Sequence, residues 1–568
     1  GYNNFFGIFA GRYNTTGANN NFFGRQAGCC NTTGRYNNFF GPNAGRFNTT
    51  GCYNNFFGSS AGCSNTTGRY NNFFGMFAGR VSTTGFHNNF LGAYAGRSNT
   101  TGCWNNFLGG CAGCANTSGY NNNFFGLYAG RENTTGRSNN FLGVNAGQTN
   151  TIGCYNNFFG RQAGRFNTTG TNNNFLGEFA GCSNTTASHN NFFGNSAGCA
   201  NTTGRFNNFF GDSAGRENTT AQGNNFFGPY AGRFNTTGSF NTFIGFYAGF
   251  CNTTVNDNTY IGASAGRCAT TGTENFMVGN SAGRDTTTGS KNTFIGAVAG
   301  RLNTTGSCNH FIGRCAGFNN STGNGNVFLG EFAGRDNTSG SYNVFLGDGA
   351  GRNNTTSFFN IAIGSNPGNS SVMGTGNQFI GAYAGKVNTG DYNILIGHCA
   401  GCDLSSGSCN IYIGKRFGTG TSSGSNQVVI DSGTGNVACF SGSFSSWASS
   451  SDCRDKTNIG NLREGKDFLA QLRPVKFEWD FRAEMKRDTP TQGTEEAGFL
   501  AQEVLEVVEA NNADYLGLVG TNDPENLTLA KANFVPVLVK AVQELTTENQ
   551  ELRTRLEALE AHVGITTT

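Results

Sequence analysis

Proline, charge and long apolar runs are what this sequence has least of. Only 7 of its 568 residues are Pro and only 12% are charged. No stretch of 18 or more apolar residues occurs, which excludes a membrane-spanning helix and with it membrane insertion. The five His (His87, His189, His310, His398, His562) are dispersed, and no Cys-x-x-Cys is matched by a second pair at zinc spacing, so neither a metal nor a cofactor is expected. Glycine runs such as Gly323-Asn324-Gly325 lack the Lys-Ser/Thr that completes a phosphate loop. Acids ahead of residue 420 are few and scattered (Glu132, Glu178, Glu217), which argues against the carboxylate pair of a glycan-cleaving enzyme. No signal-peptide pattern follows Gly1, and the sequence is expected to be a fragment or a processed product.

What is abundant points elsewhere. There are 88 Gly and 54 Phe, too much Gly for an ordinary core and too much Phe for disorder. A repeat satisfies both. The glycine closing each aromatic pair falls at Gly7, Gly24, Gly41, Gly58 and Gly75, and the 17-residue spacing holds to Gly381; one residue is lost in Asn388-Thr389-Gly390, and the ruler resumes at Gly397 and Gly414. The consensus N-N-F-F-G-x-x-A-G-R-x-N-T-T-G-x-x recurs about 25 times. Seventeen residues are too few for a helix pair and match one coil of a β-solenoid, with Phe-Phe in a short strand and recurrent Gly and Asn at the positive-φ corners. Coils ~4.8 Å apart give a rod on the order of 120 Å. Ala10, Ala27 and Ala44 are expected at a tight inner corner, and Asn14, Asn31 and Asn48 in a rung-to-rung ladder. Adjacent strand residues face opposite ways, so of Phe5 and Phe6 one lies inside and the other forms an outer apolar row. Such a row calls for partner chains, most simply around a threefold axis; a wide coil with a bulge that hides both rings is the alternative. The repeat, as in Asn-Thr-Phe-Ile-Gly at 241–245, resembles the head repeats of trimeric autotransporter adhesins, which implies a trimeric β-roll.

Several of the 19 Cys, such as Cys29, Cys63, Cys114, Cys182, Cys199 and Cys402, stand where Arg12, Arg46 and Arg80 stand in other repeats. Free thiols on a turn are expected, with a few disulfides as the alternative; Cys182 and Cys199 are one rung apart, within disulfide reach. Asn-Thr-Thr is formally a glycosylation acceptor but arises here as turn and ladder. The Thr pairs face opposite ways and are interrupted by Arg, which speaks against an ice-binding face. Residues 1–451 carry 24 basic and 13 acidic side chains, and 452–568 carry 13 basic and 21 acidic, so two different pieces of protein are joined. The basic piece could favour anionic surfaces by steering; a solvated row is the plainer reading.

Past residue 420 the vocabulary changes. Ser451-Asp452-Cys453-Arg454-Asp455-Lys456 is followed by Leu472-Arg-Pro-Val-Lys-Phe-Glu-Trp479, Ala497-Gly-Phe-Leu-Ala-Gln-Glu503 and Phe534-Val-Pro-Val-Leu-Val-Lys-Ala-Val-Gln-Glu-Leu545. These blocks, in this order, resemble the intramolecular chaperone auto-processing domain that ends phage tailspikes, tail fibres such as endosialidases, and the myelin regulatory factor. The resemblance implies a trimeric chaperone that folds the upstream fibre and then releases itself with a Ser-Lys dyad. The dyad maps to Ser451 and Lys456, and the cut to Ser451–Asp452. After Gln502-Glu503 the sequence reads Val507-Val-Glu-Ala, without the proline common in the family. A Lys serves as base only when burial lowers its pKa, so burial of Lys456 on assembly would couple cleavage to correct folding. In the last helix Leu538, Val542, Leu545, Asn549, Leu552, Leu556, Leu559 and Val563 alternate by four and three, a coiled-coil seam flanked by Glu544, Glu551, Arg555 and Glu557, with Asn549 setting register.

The expected fold is mainly β: a trimeric parallel β-solenoid over 1–420, a cap and linker over 421–451, a small α+β chaperone domain over 452–533 and a coiled-coil helix over 534–568. The expected function is a homotrimeric fibre or spike, a spacer or adhesin of a virion tail or cell surface, whose only enzymatic activity is self-cleavage in cis. Expected partners are two further copies, an upstream fibre or baseplate component, and a cell-surface glycan or other receptor. No DNA-binding domain is visible, so nucleic acid is not a partner. The rivals are a glycan-degrading tailspike and a fibre that keeps its chaperone uncut.

Overall fold

Three residues per repeat, Asn-Phe-Phe in ten of the 25 coils, are extended, and the rest of the coil returns the chain one rung along. In the computed structural model, which describes residues 1–369, 372–415, 424–431, 437–441, 448–449, 457–478, 495–521 and 527–564, this produces strands β1 (Asn4–Phe6) to β25 (Ile411–Gly414). The chain divides into two compact units, Gly1–Ser450 and Ser451–Thr568. In the first, each strand from β1 to β25 pairs in parallel with the next, so that Phe5 meets Phe22 and Phe22 meets Phe39. The result is a parallel β-solenoid of 25 coils.

The strand alternation decides which ring is inside. Phe22, Phe39 and Phe56 are fully buried, whereas Phe23 is 36% exposed and Phe74 40%. The buried rings stack in a column with centroids 4.8 Å apart and planes within 8° of parallel. Beside them runs the expected column of buried alanines, Ala27, Ala44 and Ala61. Asparagine fills the rest of the section. Asn31 Nδ2 donates to Asn14 Oδ1 at 2.6 Å, and Asn48 Nδ2 to Asn31 Oδ1 at 2.7 Å, the ladder read from the sequence. Two further ladders were not foreseen. In the buried one, the backbone N–H of Asn37 donates to Asn20 Oδ1 at 3.0 Å while Asn37 Nδ2 donates to the Gly51 carbonyl at 2.8 Å. The outer one begins with Asn4 Nδ2 donating to Asn21 Oδ1 at 2.8 Å and continues with Asn21 Nδ2 donating to Asn38 Oδ1 at 2.7 Å. Thr15 Oγ1 donates to the Thr32 carbonyl at 2.9 Å and repeats likewise. Polar groups thus share the interior with phenylalanine because most find a partner on a neighbouring rung.

The corners correct the sequence reading. Within one coil Gly24, Gln26, Gly28 and Tyr36 have positive φ (135°, 61°, 55° and 58°), while the recurrent ladder asparagines Asn31 and Asn37 do not. Two of the four corners therefore fall on variable positions, where rung bonds impose the conformation: Gln26 N–H donates to the Ile8 carbonyl and Tyr36 N–H to that of Ala18. Gly34 fills a tight slot, where a Cβ would lie 2.4 Å from Asn31 Oδ1 and from the Gly51 carbonyl, and the coils that carry Ala187, Ala221 and Val255 there bury the extra atoms. The residue lost at 388–390 comes out of a corner, so β23 (Gln378–Ile380) still pairs in register with β24 (Ile394–Ile396). Parallel stacking continues one strand beyond residue 420, to β26 (Gln427–Asp431), on which β27 (Val437–Ser441) and then β28 (Ala448–Ser449) fold back antiparallel.

The second unit holds α1 (Lys466–Leu469), the antiparallel pair β29 (Val475–Glu478) and β30 (Glu495–Gly498), α2 (Ala501–Ala510), the short pair β31 (Val519–Gly520) and β32 (Thr528–Leu529), and the 30-residue α3 (Phe534–Val563). Its core joins Phe468, Leu472, Val504, Val508, Ala513, Leu518, Phe534 and Val537. Val504 and Val508 lie on one face of α2 by their four-residue spacing, and Phe499 stacks on Phe534 at 5.3 Å. No described helix is long and apolar enough to cross a membrane.

Candidate functional site

Ser451, Asp452 and Lys456, the expected dyad and cleavage point, lie outside the described residues. The other three sequence blocks converge. Leu472 comes from the second, Phe499 from the third, and Phe534 and Val537 from the fourth, and together they help close one core, while β29 of the second pairs with β30, which ends in the third. Arg473 pairs with Glu503, linking two of the blocks at the surface; the guanidinium holds the Glu503 carboxyl below its ordinary range.

Helix α3 is docked along its first half, its apolar contacts confined to the first turns. Phe534, Val537 and Ala541 are buried, a 3–4 spacing that faces the core. The seam on another face is open to solvent within the single chain: Leu538 is 49% exposed, Val542 61%, Leu552 57% and Leu559 60%, with Leu545, Leu556 and Val563 likewise exposed. Asn549 sits among them, also exposed. Glu544 departs from its expected place as a seam flank. It turns to α1, where its Oε2 accepts the Lys466 backbone N–H at 2.8 Å, while Glu548 pairs with the Lys466 ammonium. The Lys466 bond lowers the Glu544 pKa, and Glu548 raises that of Lys466. Gly465 makes the approach possible, because a Cβ there would lie 2.1 Å from Glu544 Oε2. Glu464, buried and hydrogen-bonded by the Tyr515 hydroxyl, is a second polar anchor the sequence reading missed, since a lone Glu in a polar stretch carries no periodic signal.

On the shaft the outer row persists from Phe23 through Phe74, Leu91 and Ile244 to Ile413, each at least a third exposed. Beside it, Tyr53, Tyr70, His87 and Trp104 stack edge-outward with centroids 4.2–5.0 Å apart, and with Asn55, Asn72, Asn89 and Asn106 they line a groove of about 460 Å³. The groove lies in a segment, residues 1–131, that carries eight Arg and no acid. That run was visible in the sequence once charges are counted along the chain. Among the described residues no cluster of three or more His, Cys, Asp or Glu is placed to hold a metal.

Residues 451–512 match the family model described as chaperone of endosialidase. No curated protein and no solved structure matches the chain. An endosialidase-type chaperone segment thus follows a β-solenoid, the build of a tail-fibre- or spike-like protein.

Proposed function

We propose that three copies of this chain form a fibre of a phage tail or cell surface, with the C-terminal unit as a transient folding clamp. The observation that carries the reading is the pairing of two exposed apolar stripes, the outer row of the shaft and the α3 seam, in one chain. Each is too long to leave in water, and threefold association covers both. The clamp sets the three chains in line. Identical rungs make inter-chain slips of 17 residues nearly equal in energy, so register has to come from outside the repeats. Once assembly buries Lys456, it takes the Ser451 hydroxyl proton, and the Ser451–Asp452 bond is hydrolysed. The groove over Tyr53–Trp104 offers ring edges, hydroxyls and amides, a chemistry suited to a glycan receptor, and the acid-free Arg segment around it favours an anionic one.

The test is the intact mass of the denatured, reduced protein beside Ser451→Ala and Lys456→Ala. Two fragments dividing near residue 451 in the wild type and one uncut chain in both variants are expected. Variants still cut at that point would assign cleavage to an outside protease. A whole wild-type chain in a stable trimer would make the domain a retained chaperone.

A further inference from the structure

A parallel solenoid places every residue above the one 17 positions earlier. Only two pairs of described cysteines stand in that relation, Cys182 with Cys199 and Cys251 with Cys268. Both pairs are held in place by adjoining rung bonds. Gly181 N–H donates to the Ala197 carbonyl and Ser183 N–H to that of Cys199, each at 2.9 Å; Gly249 N–H donates to Ala265 at 3.0 Å and Cys251 N–H to Arg267 at 2.8 Å. Rung neighbours sit about 4.8 Å apart along the stack, inside the ~4.4–6.8 Å Cα range that a disulfide spans. Each pair is close enough for one thiol to alter the other's ionisation, Cys199 acting on Cys182 and Cys268 on Cys251. Other cysteines of the same columns differ. Cys29, Cys63 and Cys114 have Arg46, Arg80 and Arg131 one rung on. Cys111 and Cys114 share a single turn, as do Cys399 and Cys402, and a bridge there would join no two coils.

We infer that Cys182–Cys199 and Cys251–Cys268 are inter-coil staples that close into disulfides when the fibre meets an oxidising medium carrying a small-molecule disulfide such as oxidised glutathione. Cys199 is the attacking thiol of the first pair. It is partly exposed where Cys182 is only 7% exposed, and the hydrogen bond from Cys182, together with Arg216 beside it, favours its thiolate. The Cys199 thiolate displaces one glutathione thiolate to form a mixed disulfide; Cys182, giving its proton to water, then displaces the second. Two protein thiols become one disulfide and one glutathione disulfide becomes two thiols. The second pair reacts more slowly, because the Cys268 thiol donates to the Asp285 carboxylate at 4.0 Å and burial holds Cys251 protonated. Solenoid coils are held by their nearest neighbours, so a staple removes the option of opening between those two rungs.

The experiment treats the full-length protein with oxidised glutathione, alkylates it with iodoacetamide under denaturing conditions and digests it unreduced with chymotrypsin. The enzyme cuts at Phe192 and Tyr260, between the partners of each pair. Linked peptides holding Cys182 with Cys199, and later Cys251 with Cys268, are expected, both lost on adding dithiothreitol. Protease resistance of those coils should rise on oxidation in the wild type and not in Cys182→Ser/Cys251→Ser. Alkylation of all four thiols after oxidation would overturn the inference, and this reading of the wild type does not depend on how the variants fold. Linked peptides joining Cys182 to Cys182 or Cys251 to Cys251 of another chain would overturn it too, by assigning these thiols to bridges between chains. Neither result bears on trimerisation or on cleavage at Ser451.

Discussion

At the scale of the residue, the shaft depends on how well each buried amide is answered by the rung above. The ladder of Asn14, Asn31, Asn48 and Asn65 stops at Ser82, whose Oγ is buried without a partner, as is Asn65 Oδ1. Ser82→Asn should restore the ladder, donating to Asn65 and accepting from Asn99. Filling such orphan groups is worth about 1–3 kcal/mol, expected as slower amide hydrogen exchange in the coils around residue 82. The opposite change, Asn37→Ala, removes the donor to the Gly51 carbonyl and the acceptor for the Asn54 backbone N–H. It should cost about 2–5 kcal/mol from two unpaired buried groups. Asn38→Ala, in the outer ladder, should cost under about 1 kcal/mol because water replaces the partner. Exchange at neighbouring rungs separates the two. Left-handed corners give a third handle. Ser60 has a φ of 56°, and Ser60→Gly should gain about 1 kcal/mol by relieving its Cβ, read the same way.

At the scale of the element, α3 serves two masters along its length. Its first turns complete the core of the C-terminal unit, so Phe534→Ala should destabilise that unit by about 3–5 kcal/mol, measured by urea unfolding. Leu552→Asp and Leu556→Asp, on the exposed part of the helix, should leave the unit folded by circular dichroism and shift its mass in light scattering from trimer to monomer. A trimer that survived both changes would remove the seam from the assembly. The contact of α3 with α1 responds to acid. The folded pKa of Glu544 is lowered by the Lys466 backbone N–H, and that of Glu503 by Arg473. Their contribution is therefore fully present above the unfolded carboxyl value, about 4.3, and is lost as pH falls through the lower folded values. The melting temperature of the C-terminal unit should stay level from neutrality to about pH 5 and fall below about pH 4. Glu544→Gln should lower the plateau and flatten that fall.

At the scale of the molecule, the two units divide the work between repetition and uniqueness. The shaft repeats a Phe column broken only at Tyr260, Met277, Ala362, Leu395 and Tyr412, so little within it distinguishes one alignment of chains from another displaced by a coil. The C-terminal unit has one core and one seam. Ending the chain before residue 452 should therefore yield soluble trimer poorly and aggregate instead, through the uncovered outer row. Size-exclusion chromatography of the truncated and full-length proteins checks this, and a truncated chain that trimerises normally would make the C-terminal unit dispensable for folding.

Much of this was legible in the residues alone. A strict 17-residue period, alternating Phe faces and small Ala corners leave few folds open, because each repeat can bury its apolar residue only by stacking on its neighbours. The Asn14–Asn31–Asn48 ladder followed from that period. Which asparagine bonds to what did not, since Asn37 and Asn38 are adjacent and chemically identical and only the coil's path sends one inward and the other out. The left-handed corners at Gln26 and Tyr36 were hidden for a similar reason: rung hydrogen bonds, not side-chain preference, impose them. The inward turn of Glu544 needed the fold, which brings α1 within reach of a helix 78 residues away. The two cysteine pairs lie between these cases, one rung apart by sequence spacing and held face to face by the stacking of the coils.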